Sequence, residues 1–134
     1  MLKAKILLLV GALLPLAMAG EKCVWARGKV LCERNATKQL NAEVRLLDKD
    51  GDWVFQTIDP DDSMGVTFAN EDGSFTVEGC GYDRDWLPFV TNDPEPYIQI
   101  RHNCNTDDGE TLILPGFKTF VPDTYEAGTI KLDA

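Results

Sequence analysis

Apolar and polar side chains alternate at every second residue in short runs along most of the sequence, a pattern that favours β-strands. Clusters of Gly, Asn, Asp and Pro separate these runs, and no window carries the sustained apolar stripe of an amphipathic helix. The predicted strands are residues 24–32, 42–48, 52–58, 73–80, 96–104, a segment within 112–121, and 128–133. Strands of this number and length predict an all-β fold with two facing sheets, a β-sandwich of about seven strands.

The alternation also separates inward side chains from outward ones. The residues predicted to face the interior are Val24, Ala26, Val30, Cys32, Val44, Leu46, Phe75, Val77, Ile98, Ile100, His102, Cys104, Ile130 and Leu132. His102 is the only histidine of the chain, and no positioned nucleophile accompanies it in the sequence. We therefore expect a hydrogen-bonded histidine at the edge of the core rather than a general base, and no enzyme activity.

The first 20 residues predict a secretory signal peptide. Lys3 and Lys5 precede an apolar run, and Ala17-Met18-Ala19 precedes Gly20 as a small-residue cleavage site would. The apolar run is about half of the ~20 residues that a membrane-spanning helix needs, so no transmembrane segment is expected. Residues 21–134 are expected to form one secreted, extracellular domain.

The chain is acidic, with a formal net charge of −9. Lys3 and Lys5 belong to the predicted leader, whereas all 22 acidic residues follow it, so the mature chain is more negative still. Negative charge repels the phosphates of nucleic acids and opposes adsorption to anionic lipid. Nucleic acid is therefore not expected as a partner.

Four cysteines, Cys23, Cys32, Cys80 and Cys104, all follow the leader. An even number of cysteines in a secreted chain predicts disulfides, and no CxxC spacing suggests zinc. The sequence Asn35-Ala36-Thr37 is an N-glycosylation sequon, so a glycan is expected on Asn35.

Alternate aspartates beside a glycine, Asp48, Asp50 and Asp52, raise the question of a calcium loop. An EF-hand needs its glycine at the sixth position and a glutamate at the twelfth, whereas Gly51 stands fourth and Asp59 twelfth. A tight connection between strands is favoured. Other acidic clusters leave open a calcium site built from converging loops, but no metal or cofactor is predicted from any single segment.

Six segments carry a family resemblance across nearly the whole mature chain: "VWARGKVLC" (24–32), "VRLLDKD" (44–50), "DGSFTVEG" (72–79), "YIQIRHNCN" (97–105), "FVPDTY" (120–125) and "GTIKL" (128–132). In this order they resemble the nematode transthyretin-like family of small secreted proteins. The resemblance implies a transthyretin-like β-sandwich with Greek-key connections. The chain departs from the family pattern at residues 33–43, where the usual short turn is longer and carries the sequon, and in the presence of Cys80.

A sandwich of this kind implies a disulfide pairing. Its first strand lies antiparallel beside the fourth in one sheet, while the fifth strand belongs to the other sheet. Cys23 and Cys80 would then pair between neighbouring strands, and Cys32 and Cys104 would bridge the two sheets at one end.

The resemblance also points to extracellular recognition or signalling, in some members at cell surfaces. Hydrolases that share the transthyretin architecture have several histidines and a Tyr-Arg-Gly-Ser tail, and both features are missing here. We predict a secreted, non-catalytic binding protein that contacts an extracellular protein or cell-surface ligand through loops at one pole.

The segment "CGYDRDWLPF" is the strongest candidate for that contact, with Tyr82, Arg84 and Trp86 as partner-binding residues at the pole opposite Cys32 and Cys104. The alternative is a carrier of a small apolar ligand or lipid. A carrier would need an apolar pocket of ~300 Å³ or more.

Overall fold

The structure is a computed structural model that describes residues 21–49, 62–82 and 94–133. These residues form seven strands and one short 3₁₀ helix. In chain order the elements are β1 (Glu21–Leu31), the 3₁₀ helix (Ala36–Gln39), β2 (Glu43–Asp48), β3 (Asp62–Phe68), β4 (Ser74–Tyr82), β5 (Pro96–His102), β6 (Glu110–Ile113) and β7 (Thr124–Lys131). Across these three ranges no helix has the length and apolar character needed to cross a membrane.

The strands form two sheets. One has three strands in the order β4-β1-β7, and the other has four in the order β3-β2-β5-β6. β1 is antiparallel to β4 and parallel to β7, whereas all pairs in the four-stranded sheet are antiparallel. The predicted two-sheet β-sandwich is confirmed.

The core lies between the sheets, because alternate residues of each strand point to the same face. The buried apolar residues are Val24, Ala26, Val30, Cys32, Ala42, Val44, Leu46, Ala69, Phe75, Val77, Ile98, Ile100, Cys104, Ile130 and Leu132, and they form one cluster. Every apolar residue predicted to face inward is among them. His102 is buried as well, as its parity predicts.

One edge of the sandwich is closed by glycines on β3 and β4, which are edge strands of different sheets. A Cβ at Gly65 would overlap the carbonyl oxygen of Glu78, and a Cβ at Gly79 would overlap the carbonyl oxygen of Met64. The two backbones therefore approach more closely than any residue with a side chain would allow at these positions.

Three strands differ from the sequence prediction. β3 was not predicted, because the alternation of Val66 and Phe68 places both side chains on the outer face and leaves Gly65 on the inner side. The strand predicted at 52–58 lies outside the described residues.

β6 begins two residues before the predicted segment and ends at Ile113, just before Leu114-Pro115, where proline cannot donate to a ladder. β7 begins four residues earlier than predicted, because a register shift opposite Arg27/Gly28 breaks its alternation near Gly128.

Two disulfides tie the strands together. Cys23 pairs with Cys80 between the neighbouring strands β1 and β4, with Cα atoms 3.9 Å apart. Cys32 pairs with Cys104 between the two sheets, with Cα atoms 5.8 Å apart. This is the pairing that the resemblance implies. We call the two ends of the sandwich the Cys80 pole and the Cys104 pole.

Candidate functional site

Of the residues predicted to bind a partner, only Tyr82 is among the described residues, and it lies at the Cys80 pole. Tyr82 is the last residue of β4 and stands opposite Glu21 of β1. Arg84 and Trp86 lie outside the described residues, so their role stays a prediction. The site described below was not predicted from the sequence.

The outward surface of the four-stranded sheet, which we call the outer face, carries residues from all four strands. Strand register places on it Val66 and Phe68 from β3, Glu43, Arg45 and Leu47 from β2, Tyr97, Gln99 and Arg101 from β5, and Thr111 and Ile113 from β6. Val66 is 50% exposed, Phe68 53% and Ile113 64%. Among the described residues, five large apolar side chains are exposed, and three of them are on this one face.

Two arginines lie between these apolar side chains. Arg45 Nε donates to Glu43 Oε1 at 2.6 Å. Arg101 is exposed and has no ion pair within the described ranges. The two arginines line a shallow depression with Glu43, Leu47, Tyr97 and Gln99. The outer face therefore combines exposed apolar groups with at least one guanidinium that is available to a partner.

A cleft of about 430 Å³ lies at the corner of the outer face nearest the Cys80 pole. We call it the lysine cleft; its lining residues are Lys49, Glu95, Tyr97, Ile113, Leu114, Gly116, Phe117 and Lys118. Leu114 and Phe117 are partly buried and pack against the core.

Backbone hydrogen bonds hold this cleft in shape. After β6 ends, the N–H groups of Leu114 and Phe117 donate to the carbonyls of Ile98 and Pro96, each at 3.0 Å. The Phe117 ring stacks on Tyr125 with centroids 3.7 Å apart. On the opposite wall, Lys49 N donates to the carbonyl of Glu95 at 3.0 Å. Both walls are thus anchored to the start of β5.

The Cys104 pole holds His102 in a hydrogen-bonded, buried position. Its side chain is 2% exposed, and its Nδ1 accepts from Cys104 N at 3.1 Å. Burial lowers the pKa of His102, and the negative charges of Glu110 and Asp133 partly oppose that shift. Cys104 is in a disulfide and offers no thiol to this imidazole.

Asn105 completes the same network. Its Nδ2 donates to Leu132 O at 2.9 Å and also to Glu110 Oε1. His102, the last residue of β5, and Asn105, three residues later, therefore connect β5, β6 and the C-terminal segment. This geometry assigns His102 and Asn105 a structural role.

Asp48, one of the aspartates that raised the question of calcium, and Asp133, near the C-terminus, both accept backbone hydrogen bonds. Asp48 Oδ1 accepts from Glu95 N at 2.8 Å, and Asp133 accepts from the N–H groups of Glu33 and Arg34 at 3.1 and 2.9 Å. Both hydrogen bonds lower the pKa of Asp133, and the bond from the Arg34 N–H has the larger effect. Asp50 and Asp52 lie outside the described residues. In the parts of the chain that are described, each group of three potential metal ligands contains a disulfide pair, whose sulfurs are already bonded to each other.

The predicted glycosylation site is exposed. Asn35 caps the 3₁₀ helix, and its Oδ1 accepts from the backbone N and the hydroxyl of Thr37 at 3.1 and 2.6 Å. Both bonds use Oδ1 and not Nδ2, the atom to which an N-glycan attaches. A glycan on Asn35 stays a prediction.

Comparison with known proteins gives a family match, a nematode relative and a likeness to a solved structure. A sequence model of the Transthyretin-like family matches residues 27–119. Transthyretin-like protein 16 of Caenorhabditis elegans is 31% identical over 109 residues, which cover 81% of this chain and 70% of that protein. A solved structure of a 9R-lipoxygenase from Cyanothece PCC8801 aligns with 83% of this chain, with a TM-score of 0.45 and 20% sequence identity. The aligned region is only 16% of the lipoxygenase chain, and a likeness this low supports no conclusion about function. On the family match and the nematode relative, the chain belongs to the transthyretin-like family.

Proposed function

We propose that this chain is a non-catalytic extracellular protein that recognises another protein through the outer face of its four-stranded sheet. The observation that carries the proposal is the exposure of Val66, Phe68 and Ile113 on that one face. Val66 and Phe68 lie on edge strand β3 and Ile113 on edge strand β6, with Arg45 and Arg101 between them, and a surface that mixes exposed apolar groups with arginines is typical of a binding site. Aromatic and arginine side chains, such as Phe68 and Arg101, are also the types enriched at binding hot spots.

The charges of this surface favour an acidic partner. The outer face and the adjoining lysine cleft together contribute four basic side chains, Arg45, Arg101, Lys49 and Lys118, against two acidic ones, Glu43 and Glu95. The whole chain has a net charge of −9. A locally basic surface on an acidic molecule favours a protein that presents acidic side chains beside apolar ones.

The absence of catalysis is part of the proposal. The Nδ1 of His102 accepts from Cys104 N, so the proton of the neutral imidazole is on Nε2 and neither ring nitrogen has a lone pair free to act as a general base. The recognition role that the family resemblance implies supports the same conclusion. The predicted leader, the two disulfides and the sequon support an extracellular location.

The test is differential capture by the oxidised, glycosylated mature chain immobilised on beads. Extracellular extract is passed over wild type, a V66S/F68S variant and a W25S control, since Trp25 is exposed on the three-stranded sheet. We expect a protein that is retained by wild type and W25S and lost by V66S/F68S. Equal retention by all three chains would exclude the outer face.

The pole loop predicted from the sequence is tested in the same experiment. A Y82A/R84A/W86A variant that loses the captured protein, while V66S/F68S keeps it, would place the binding site at residues 80–94. If no chain retains a protein, the recognition function itself is contradicted.

A further inference from the structure

We propose that the lysine cleft binds a small organic carboxylate with an apolar body. The proposal shares Ile113 and the two lysines with the outer-face proposal, adds the wall of Leu114 and Phe117, and assigns the protein a second ligand.

The lining supplies an apolar surface that faces solvent. Ile113 is 64% exposed, and beside it Leu114 and the Phe117 ring form the wall that continues into the core. When an apolar ligand group binds here, its own surface and the surface of this wall are both removed from water, which favours binding. The cleft volume of about 430 Å³ is within the range of small-molecule sites.

The apolar wall is fixed before any ligand arrives. Phe117 is held by its backbone bond to Pro96 and by its ring stack on Tyr125. Lys49 is held at its backbone by the bond to Glu95. A preformed wall loses little conformational entropy on binding, so more of the contact free energy appears as affinity.

The charges select an anion. Lys49 and Lys118 both line the cleft, and neither has an ion pair among the described residues. Glu95 lines it too and also has no ion pair there, so the cleft has one more positive than negative charge. A single carboxylate neutralises that excess, and an ammonium group would be repelled by the two lysines.

The site is distinct from a cavity in the interior of the sandwich. The inward aliphatic side chains of both sheets are buried in one cluster. The cleft instead lies outside that cluster, beyond the end of β6. Ligand entry therefore requires no opening of the sandwich.

The experiment is an NMR titration of the oxidised mature chain labelled with ¹⁵N. The probes are decanoate, decyltrimethylammonium, which has a similar tail and the opposite charge, and acetate, which has the headgroup alone. We expect decanoate to shift the amide signals of residues 95–97 and 113–118. Decyltrimethylammonium should bind at least about tenfold more weakly because it loses a charge-assisted contact, and acetate should bind more weakly because it has no apolar tail to bury.

Variants locate the binding. K49Q/K118Q should weaken decanoate binding about tenfold or more, and I113Q should weaken it by a smaller factor. K29Q is the matched control, since Lys29 is an exposed lysine on the three-stranded sheet, and it should bind as wild type does. V66S/F68S should also retain decanoate binding, which separates this proposal from the outer-face proposal.

Three results would overturn the proposal. Equal affinity for decanoate and decyltrimethylammonium would show that the lysines select nothing. Signal changes confined to the outer face around Val66 or to the core would place the ligand elsewhere. Unchanged affinity in a folded K49Q/K118Q variant, judged by its dispersed amide spectrum, would exclude the two lysines as ligands.

Discussion

At the scale of single residues, His102 shows how one hydrogen bond sets a protonation state. Because Nδ1 accepts from Cys104 N, it must be unprotonated in the folded chain, and burial lowers its pKa in the same direction. Glu110 of β6 and Asp133 of the C-terminal segment oppose the shift without reversing it. The neutral imidazole is therefore a component of the Cys104 pole.

This protonation state predicts the pH dependence of stability. The pKa of His102 in the folded chain is below the ordinary value of 6.5. The neutral imidazole therefore stabilises the folded chain fully above pH 6.5, and this stabilisation is lost as pH falls from 6.5 through the folded pKa. We expect the free energy of unfolding to decline as pH falls below about 6.5, and an H102N variant to lose most of that slope. Urea unfolding across this range measures both. The lowered pKa values of Asp72 and Asp133 affect the free energy of unfolding only below pH 3.8, the ordinary pKa of an aspartate, so they do not contribute to the decline assigned to His102.

A second prediction compares an inward residue with an outward one. Leu46 is completely buried between the sheets, whereas Phe68 is 53% exposed. Leu46→Ala leaves a cavity and should cost about 2–5 kcal/mol of unfolding free energy. Phe68→Ala should cost about 0.5 kcal/mol or less, as surface changes do. A large loss of stability with Phe68→Ala would mean that this ring supports the fold and is not held available for a partner.

At the scale of secondary-structure elements, the seam between β3 and β4 depends on two glycines. The edge strands of the two sheets meet where Gly65 stands against Glu78 and Gly79 against Met64. Backbone atoms, not flexible side-chain ends, occupy the space that a Cβ would need. A side chain at either position must push the strands apart.

We therefore predict that Gly65→Ala and Gly79→Ala each destabilise the protein by about 1–3 kcal/mol, the usual cost of overpacking. Gly116→Ala is the control, because its Cβ would meet only Pro96 O at 3.4 Å, and it should change stability by about 0.5 kcal/mol or less. Thermal unfolding of the three variants measures the difference. Equal melting temperatures would contradict the close seam.

The same elements show how far sequence reasoning reaches. β1, β2, β4 and β5 were predictable because residues such as Val24, Val44 and Ile100 keep strict period-two alternation and are buried on one face. β3 was not, because Val66 and Phe68 face outward and the alternate, inner positions are Gly65 and Thr67. The lysine cleft could not be predicted either. It depends on the bonds of Leu114 and Phe117 to β5, which leave no periodic signal in a segment that contains Pro115.

At the scale of the whole molecule, the two sheets, the two poles and the outer surfaces have separate roles. The Cys104 pole joins both sheets through Cys32–Cys104 and the network of His102 and Asn105. The Cys80 pole has a disulfide within one sheet only, and the lysine cleft lies at that end of the outer face. The more heavily cross-linked pole thus supports the fold, and the other carries the proposed ligand site.

The two disulfides should consequently differ in their response to a reductant. Cys32 and Cys104 are each 1% exposed, whereas Cys80 is exposed on the surface of the three-stranded sheet. Thiol–disulfide exchange requires a thiolate to reach a sulfur, so access decides the order of reduction under native conditions. We expect mild dithiothreitol followed by alkylation to label Cys23 and Cys80 well before Cys32 and Cys104, as read by peptide mass spectrometry.

The loops that the two bonds close are of similar length, 57 and 72 residues, so chain entropy alone would give nearly equal stabilisation. Simultaneous labelling of all four cysteines would show that the molecule opens as one unit before either bond is reduced, and would contradict the protection of the Cys104 pole.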